Sequence, residues 1–226
     1  LTHDPAAQHT GVARQRQGLS LAEPLARVPG MFLQNRHNFA QDLRISIRGF
    51  GARAPFGVRG VKLLVDGIPQ TLPDGQAQVD GIDLDTVARM EVIRGPASAL
   101  YGNASGGVIR IETRDGPPEP FVSTEIQGGS YGFFEADVQT GGQGDVLNYF
   151  ANASVMSLTG YRDHSRTENA NLNLKLRGDL GPGTSLTGLV NLVDSPKAND
   201  PGGLTAAQVA QDREQAHPRN LRFDAG

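Results

Sequence analysis

Two loop segments of this sequence combine glycine-rich, bendable backbone with side chains that can recognise a small molecule. Residues 49–60 read Gly-Phe-Gly-Ala-Arg-Ala-Pro-Phe-Gly-Val-Arg-Gly, which places four glycines beside cationic and aromatic groups. Residues 70–80 add two carboxylates and three amides. Guanidinium groups can bind an anion through paired hydrogen bonds, and a phenyl ring can stack on a planar group. The candidate ligand-contacting side chains are Arg53, Phe56, Arg59, Asp74, Gln76 and Gln78. An ordinary supporting role for these loops remains an open alternative.

Residue types that commonly carry catalysis or hold metals do not cluster in the sequence. The five histidines are scattered without zinc-like spacing, and the chain has no cysteine to act as a ligand or nucleophile. Gly49-Phe50-Gly51 lacks the third glycine and the following helix of a dinucleotide-binding loop. We therefore predict that the chain is not an enzyme and that it holds no cofactor or metal.

The composition narrows the class of partner. The 226 residues include 21 basic and 24 acidic side chains, a net charge of -3, so no field-driven nucleic-acid partner is expected. No run of eighteen apolar residues occurs, which excludes a membrane-spanning helix on length. A transmembrane barrel is compatible with this sequence, because its strands need only about ten residues each, with apolar side chains at alternate positions.

Four short motifs pair an aliphatic run with a glycine or Gly-Pro turn, which predicts a compact sheet of short strands. They are Arg-Ile-Ser-Ile-Arg-Gly-Phe-Gly at 44–51, Leu-Leu-Val-Asp-Gly-Ile-Pro at 63–69, Met-Glu-Val-Ile-Arg-Gly-Pro-Ala-Ser-Ala-Leu-Tyr-Gly at 90–102 and Gly-Gly-Val-Ile-Arg-Ile-Glu-Thr at 106–113. In order and spacing they resemble the plug domain of TonB-dependent outer-membrane receptors.

The resemblance implies a fold, a location and partners. We expect an α+β plug domain over residues 1–118, followed over 119–226 by antiparallel β-strands of an incomplete transmembrane β-barrel. The implied protein lies in outer-membrane lipid and takes up a scarce small-molecule ligand with energy delivered by TonB. Among such receptors, the amino-acid sequences of the two loops are similar to the branch that includes the pyrroloquinoline quinone receptor. Pyrroloquinoline quinone and an iron-siderophore are therefore the expected cargoes. Residues 1–18 show no convincing apolar TonB-binding box.

The resemblance also gives the arginines of the Ile-Arg-Gly and Arg-Gly-Pro motifs a role. In similar receptors these arginines are held by glutamates of the barrel wall, on strands later than those present here. Arg48, Glu91 and Arg94 are accordingly expected to anchor the plug. From the residues alone, Arg48 and Arg94 are equally compatible with surface arginines beside turns.

The plug elements follow from local patterns. Residues 1–18 read as a flexible, polar lead-in. Ser20 with Glu23 is a capping-box pattern ahead of a helix that should end by Gly30. Strands are expected at 31–34, 43–48, 61–65, 90–94 and 108–113, with a short Asp83-capped helix reaching residue 87 and a helical turn at 96–100.

After the Gly116-Pro117-Pro118 hinge the pattern changes to two-residue alternation of apolar and polar side chains. Five strands are expected, and the fourth places Leu172, Leu174 and Leu176 on one face. Short and long turns alternate, as in an outer-membrane barrel, and Thr205 with Gln208 predicts a capped turn in the last long loop. A soluble β-sandwich used for binding or adhesion is the alternative, and it would bury those leucines. The last residues lack a terminal aromatic strand, so we expect a fragment of a longer receptor.

Overall fold

The computed structural model describes residues 7–10, 19–35, 37–54, 57–72, 74–79 and 81–225. The chain divides into two compact units. The first takes in the described residues of Leu1–His37 and Gln41–Arg114, and the second those of Asn38–Ala40 and Asp115–Gly226.

The first unit is built on a mixed five-stranded sheet with two smaller antiparallel pairs. Its strands are β1 (Ala7–Thr10), β2 (Met31–Gln34), β3 (Arg44–Ile47), β4 (Val58–Arg59), β5 (Val61–Val65), β6 (Ile68–Pro69), β7 (Gln76–Ala77), β8 (Val87–Arg94) and β9 (Gly107–Thr113). The main sheet has the order β1-β8-β9-β5-β6, and β2 pairs with β3 while β4 pairs with β7. Two short helices, α1 (Ala22–Leu25) and α2 (Ser98–Tyr101), and a 3-10 turn at Leu84–Thr86 complete the unit.

The core forms on both faces of the central strand β9. Its run Val108, Ile109 and Ile111 is fully buried, as expected for a strand covered on both sides. Ile109 and Ile111 join the larger apolar cluster that includes Leu25, Ile47 and Met90. Val108 packs in a second cluster with Leu64 and Ala104.

The beginning of the chain differs from expectation at two places. Within the expected flexible lead-in, Ala7–Thr10 forms β1 and pairs antiparallel with β8, from Ala7 opposite Ile93 to Thr10 opposite Met90. The edge of β8 offers unpaired backbone groups that any extended segment can satisfy, so no apolar pattern is needed. The rest of the predicted lead-in, residues 1–6 and 11–18, lies outside the residues that the structure describes.

The first helix is shorter than predicted. α1 covers one turn only, although Leu21, Leu25 and Val28 are buried together as the spacing indicated. The predicted capping box does not form, because α1 has Leu21 as its N-cap, with no side-chain capping bond. The Glu23 carboxylate accepts from the Leu19 amide at 2.9 Å, and Ser20 contributes its backbone carbonyl. Pro29 further disfavours helical geometry at Val28.

The second unit is a five-stranded antiparallel sheet in which each strand pairs with the next along the chain. The strands are β10 (Phe121–Gly128), β11 (Phe134–Gln143), β12 (Leu147–Leu158), β13 (Thr167–Gly181) and β14 (Thr184–Ala198). The predicted number, order and antiparallel direction of these strands are confirmed. β13 and β14 are each 15 residues long, longer than their cleanest alternating stretches suggested.

The two faces of this sheet have opposite character. Cross-strand partners such as Ala153 with Leu172 and Leu172 with Leu192 build an apolar face. The other face carries amides, including Asn191, which donates to Asn173 Oδ1 at 2.6 Å. Leu172 is 45% exposed and Leu176 is 38% exposed, so the apolar face is not the closed core that a soluble sandwich requires.

Loops of the second unit follow the predicted alternation in length. Residues 144–146 and 182–183 are tight connections, whereas 159–166 and the segment after β14 are long. The long segment contains α3 (Ala206–Gln211), where Thr205 and Gln208 form the predicted capping box. Within the described residues, no helix has the length and apolarity needed to span a membrane.

Candidate functional site

The two candidate loops of the first unit are joined by a short antiparallel ladder. β4 and β7 pair Val58 with Ala77 and Arg59 with Gln76, so segments fifteen to seventeen residues apart lie side by side. An isolated bridge between Thr71 and Ala77 and a Leu72 N–H bond to the Gln76 carbonyl close the second loop on itself. Neither contact depends on apolar alternation, and the sequence alone did not indicate this pairing.

Arg59 is the centre of the polar contacts in these loops. Its Nη2 donates to Gln76 Oε1 at 3.1 Å and lies 3.4 Å from Asp74 Oδ2. The Asp74 carboxylate also accepts from the Gln76 amide at 3.0 Å, which fixes the turn. Arg59 and Asp74 remain 45% and 55% exposed, so the guanidinium is oriented by its neighbours and still reachable by a ligand.

The remaining loop residues divide into two groups. Arg53 and Gln78 are exposed, and no described residue bonds the Arg53 guanidinium. Phe56 lies outside the described residues. The structure therefore brings Arg59, Asp74 and Gln76 into direct contact, while Arg53 and Gln78 stay separate candidates on the same two loops.

Close backbone contact explains why glycine occupies position 51, near the start of the first candidate loop. Gly51 has φ +88°, and a Cβ there would lie 2.6 Å from the Ile45 carbonyl oxygen and 2.9 Å from that of Arg59. Both distances are shorter than a side chain tolerates, and the backbone conformation is one that only glycine adopts readily.

The two motif arginines meet at the turn that follows α1. Arg94 Nη1 donates to the Pro29 carbonyl at 2.9 Å, and the Arg48 amide donates to the Gly30 carbonyl at 2.9 Å. The Arg48 side chain is exposed, and no described residue bonds its guanidinium. Arg94 Nε is buried and has no hydrogen-bond partner among the described residues.

Glu91 has a different environment from the arginines. Its carboxylate forms ion pairs with Arg89 and with Arg110 on the neighbouring strand β9, and Arg110 also pairs with Glu112 at 2.9 Å. These charges form a row across β8 and β9. These two ion pairs of Glu91 lie within the sheet of the first unit.

No group of three or more histidine, cysteine, aspartate or glutamate side chains could hold a metal ion in the part of the chain that the structure describes. What the site presents is a set of oriented cations, carboxylates and amides on loops. Such a set can bind and orient a polar ligand by hydrogen bonds and charge.

Residues 11–108 match the family model described as TonB-dependent Receptor Plug Domain. This segment is similar in sequence to the plug domain of TonB-dependent receptors. The match begins ahead of α1 and ends within β9, and it contains both candidate loops, Arg48, Glu91 and Arg94. The family match and the relatives below are consistent with the outer-membrane location that the resemblance predicted.

Named relatives agree with the plug assignment. The chain is 31% identical over 147 residues to a vitamin B12 transporter of Vibrio vulnificus (strain CMCP6), covering 65% of this chain and 22% of the relative. It is 40% identical over 97 residues to a hemin receptor of Yersinia pestis, covering 42% of this chain and 13% of the relative. The chain thus spans less than a quarter of either relative. Both are named as a transporter or receptor, which is consistent with the prediction that the chain is not an enzyme.

The fold of both units recurs in a solved structure. The unliganded ferric citrate transporter FecA superposes with a TM-score of 0.78 at 24% identity, covering 95% of this chain and 34% of FecA. The predicted fold class, a plug domain followed by antiparallel strands of a barrel that this chain does not close, is confirmed.

Proposed function

We propose that the chain is the plug and the first five barrel strands of an outer-membrane receptor that imports a scarce ligand with energy from TonB. The observation that carries this proposal is the succession of a plug domain and a sequential antiparallel sheet with an exposed apolar face. Residues 1–118 are the proposed plug domain and residues 119–226 the proposed barrel portion. TonB, outer-membrane lipid and a small-molecule ligand are the proposed partners.

The proposed ligand is anionic and is held by the two plug loops. Arg59, oriented by Gln76 and Asp74, supplies a directional cation, and the exposed Arg53 supplies a second one. Gln76 and Gln78 would bind polar edges of the ligand, and Phe56 would stack on a planar part. These features suit an iron-siderophore or a planar tricarboxylate such as pyrroloquinoline quinone. The two named relatives and FecA carry three different cargoes in their names, so they do not choose between these ligands.

Arg48 and Arg94 are the proposed anchors of the plug. The exposed guanidinium of Arg48 is available to a partner group. The buried Nε of Arg94 supports a further acceptor beyond the described residues, because a buried N–H without an acceptor is costly. Glu91 is proposed to act with them by keeping the charged row of β8 and β9 in place.

The anchoring proposal is tested by changing both arginines to alanine in the full-length receptor. We expect faster amide exchange throughout the plug and a leak of large antibiotics across the outer membrane. Arg27→Ala, which removes an exposed arginine of the same unit, is the control. A double variant whose plug stays as protected as the parent would contradict the anchoring role.

Transport itself is tested by uptake and binding of a panel of iron chelates and organic cofactors in cells that express the full-length gene. We expect one class of compound to bind with or without TonB and to enter the cell only with TonB. Uptake that is indifferent to TonB would refute energy coupling, and absence of binding to every anionic compound would refute the proposed ligand class.

A further inference from the structure

The segment that leads from the plug into the first barrel strand is bound by a side chain that acts like a neighbouring strand. The Gly116 amide donates to Asn148 Oδ1 at 2.8 Å, and Asn148 Nδ2 donates back to the Gly116 carbonyl at 2.8 Å. A β-ladder provides the same pair of bonds from a backbone. Asn148 Nδ2 also donates to Gln143 Oε1 at 2.6 Å, which fixes the orientation of the amide.

Close backbone packing holds the same residue from another side. A Cβ on Gly116 would lie 2.3 Å from the carbonyl oxygens of both Gly142 and Tyr149 and 2.6 Å from the Gly142 nitrogen. The neighbours are backbone atoms of β11 and β12, which cannot rotate away as a side chain can. Gly116 is therefore seated against these strands in a position that only glycine fits.

A salt bridge extends the attachment to a third strand. Lys175 Nζ on β13 lies 2.9 Å from Asp115 Oδ1, and the lysine side chain is only 14% exposed. Asp115 and Gly116 thus contact β11, β12 and β13 of the second unit. We call these two residues, with Asn148 and Lys175, the connector clamp.

One residue earlier the chain belongs to the first unit. The Arg114 amide donates to the Thr86 carbonyl at 2.8 Å, and the Thr113 amide donates to Asp66 Oδ1 at 3.0 Å. Consecutive residues are therefore held by different units, and the division of the chain falls between Arg114 and Asp115. A hinge needs only a few terminal residues of an element to absorb its rotation.

We infer that the connector clamp is a stationary tether, in which Asn148 is the positioning residue for the exit of the plug. When the plug moves during transport, it turns about the Arg114–Asp115 junction, while residues from Asp115 onward stay on the strands. This inference rests on the proposed transport function. It assigns Gly116 to the fixed side of the hinge.

A reversible bridge across the clamp tests whether it stays closed. In the full-length receptor, Asp115→Cys and Lys175→Cys are joined by a short bis-methanethiosulfonate reagent. The chain has no cysteine of its own, so the pair is unique within these residues. We expect TonB-dependent uptake to be the same with the bridge closed and after reduction. Uptake that is lost on bridging and restored by reduction would overturn the inference.

Two controls separate this outcome from other failures. Each single cysteine variant treated with the same reagent reports any effect of the reagent alone, and ligand binding reports correct folding. If the parent and the unbridged double variant both bind ligand and both show no TonB-dependent uptake, that result would contradict the proposed transport function and would leave the tether itself unaffected.

Asn148→Ala gives a second test, which does not depend on whether the double-cysteine variant folds. Residues 117, 118 and 120 are prolines, so within 115–120 only Asp115, Gly116 and Glu119 carry exchangeable amides, and a peptide that begins ahead of Arg114 reports them. Loss of the paired bonds should speed exchange of this peptide by about tenfold, the equivalent of one to two hydrogen bonds. Asn148→Asp, which keeps the acceptor for Gly116 and loses the donor, should show a smaller increase. Unchanged exchange in Asn148→Ala would overturn the positioning role.

Discussion

Arg59 owes its candidate role to neighbours that orient it without burying it. Gln76 and Asp74 accept from the same guanidinium nitrogen, which leaves other N–H groups of the fork for a ligand. Residue types alone indicated these loops as binding candidates. The sequence could not show that Arg59, Asp74 and Gln76 touch each other, because their contact depends on the two-residue ladder between β4 and β7.

Arg59→Ala is expected to weaken ligand binding more than stability. An exposed ion pair contributes about 0–1 kcal/mol to folding, whereas losing a charge-assisted bond to a ligand costs about 1.5–3 kcal/mol, or roughly tenfold to a hundredfold in affinity. The measurement is the dissociation constant of the full-length receptor for the compound that the uptake panel identifies. Arg27→Ala is the matched control, and equal affinities for both variants would remove Arg59 from the site.

Gly49 and Gly51 form a matched pair for separating backbone strain from steric contact. Their φ angles are +89° and +88°, but a Cβ on Gly49 meets nothing within 4 Å, while one on Gly51 meets two carbonyl oxygens. Gly49→Ala should cost about 1–2 kcal/mol, the usual penalty of a left-handed conformation. Gly51→Ala should cost clearly more, because the backbone itself must shift. Denaturant unfolding of the purified receptor gives both values, and equal losses would contradict the contact.

At the scale of elements, strong periodicity was predictable and pairings without periodicity were not. The alternating strands β10 to β14 and the capped helix α3 appear where the sequence placed them, because side-chain alternation and capping are local properties. β1 has no apolar pattern and is placed by the free edge of β8. The register and full length of β13 and β14 are likewise set by their partners, since pairing continues beyond the clean alternation.

Arg162 holds the long segment after β14 in a closed loop. Its guanidinium donates to the carbonyls of Pro201, Gly202 and Gln215, with distances from 2.6 to 3.2 Å. The Asp163 amide adds a bond to the Glu214 carbonyl at 2.7 Å. The Arg162 guanidinium therefore joins both ends of the long loop that carries α3.

Arg162→Ala should open this excursion while leaving the sheet intact. We expect amide exchange across residues 203–214 to rise by tenfold or more, at about 1–3 kcal/mol for loss of charge-assisted bonds. Arg162→Lys should rescue only part of the protection, because an ammonium group cannot span the three carbonyls. Arg166→Ala, which removes an exposed arginine paired with Glu168, is the control. Protection that survives in Arg162→Ala would contradict this role.

At the scale of the whole molecule, the exposed apolar face of the second unit is consistent with contact with lipid. Leu174 and Leu189 lie on neighbouring strands, one residue apart in register, since Leu174 pairs with Val190 and Lys175 pairs with Leu189. Leu174 belongs to the apolar face, and Leu189 lies on the face that carries the amides. They occupy nearly the same position along the strands, on opposite faces of the sheet.

Leu174→Arg is expected to destabilise the receptor in the membrane by about 2–4 kcal/mol, the cost of an arginine on the lipid face near the midplane. Leu189→Arg should cost much less, because the opposite face of a barrel wall is polar. Urea unfolding of the full-length receptor in lipid vesicles measures both. A larger loss in Leu189→Arg would mean that the face carrying the amides, and not the apolar face, meets the lipid.

The position of β1 decides how the plug would yield to a load applied ahead of residue 7. Among the described strands, β1 is at the edge of its sheet and pairs with β8 alone. Its ladder begins with Ala7 opposite Ile93, so tension arriving from the N-terminal side reaches that rung first and can peel the strand away rung by rung. The buried side chains of Met90 and Val92 would keep β8 seated meanwhile. The first bonds to break under such a load would therefore be the four rungs between β1 and β8, and the rest of the sheet could stay paired.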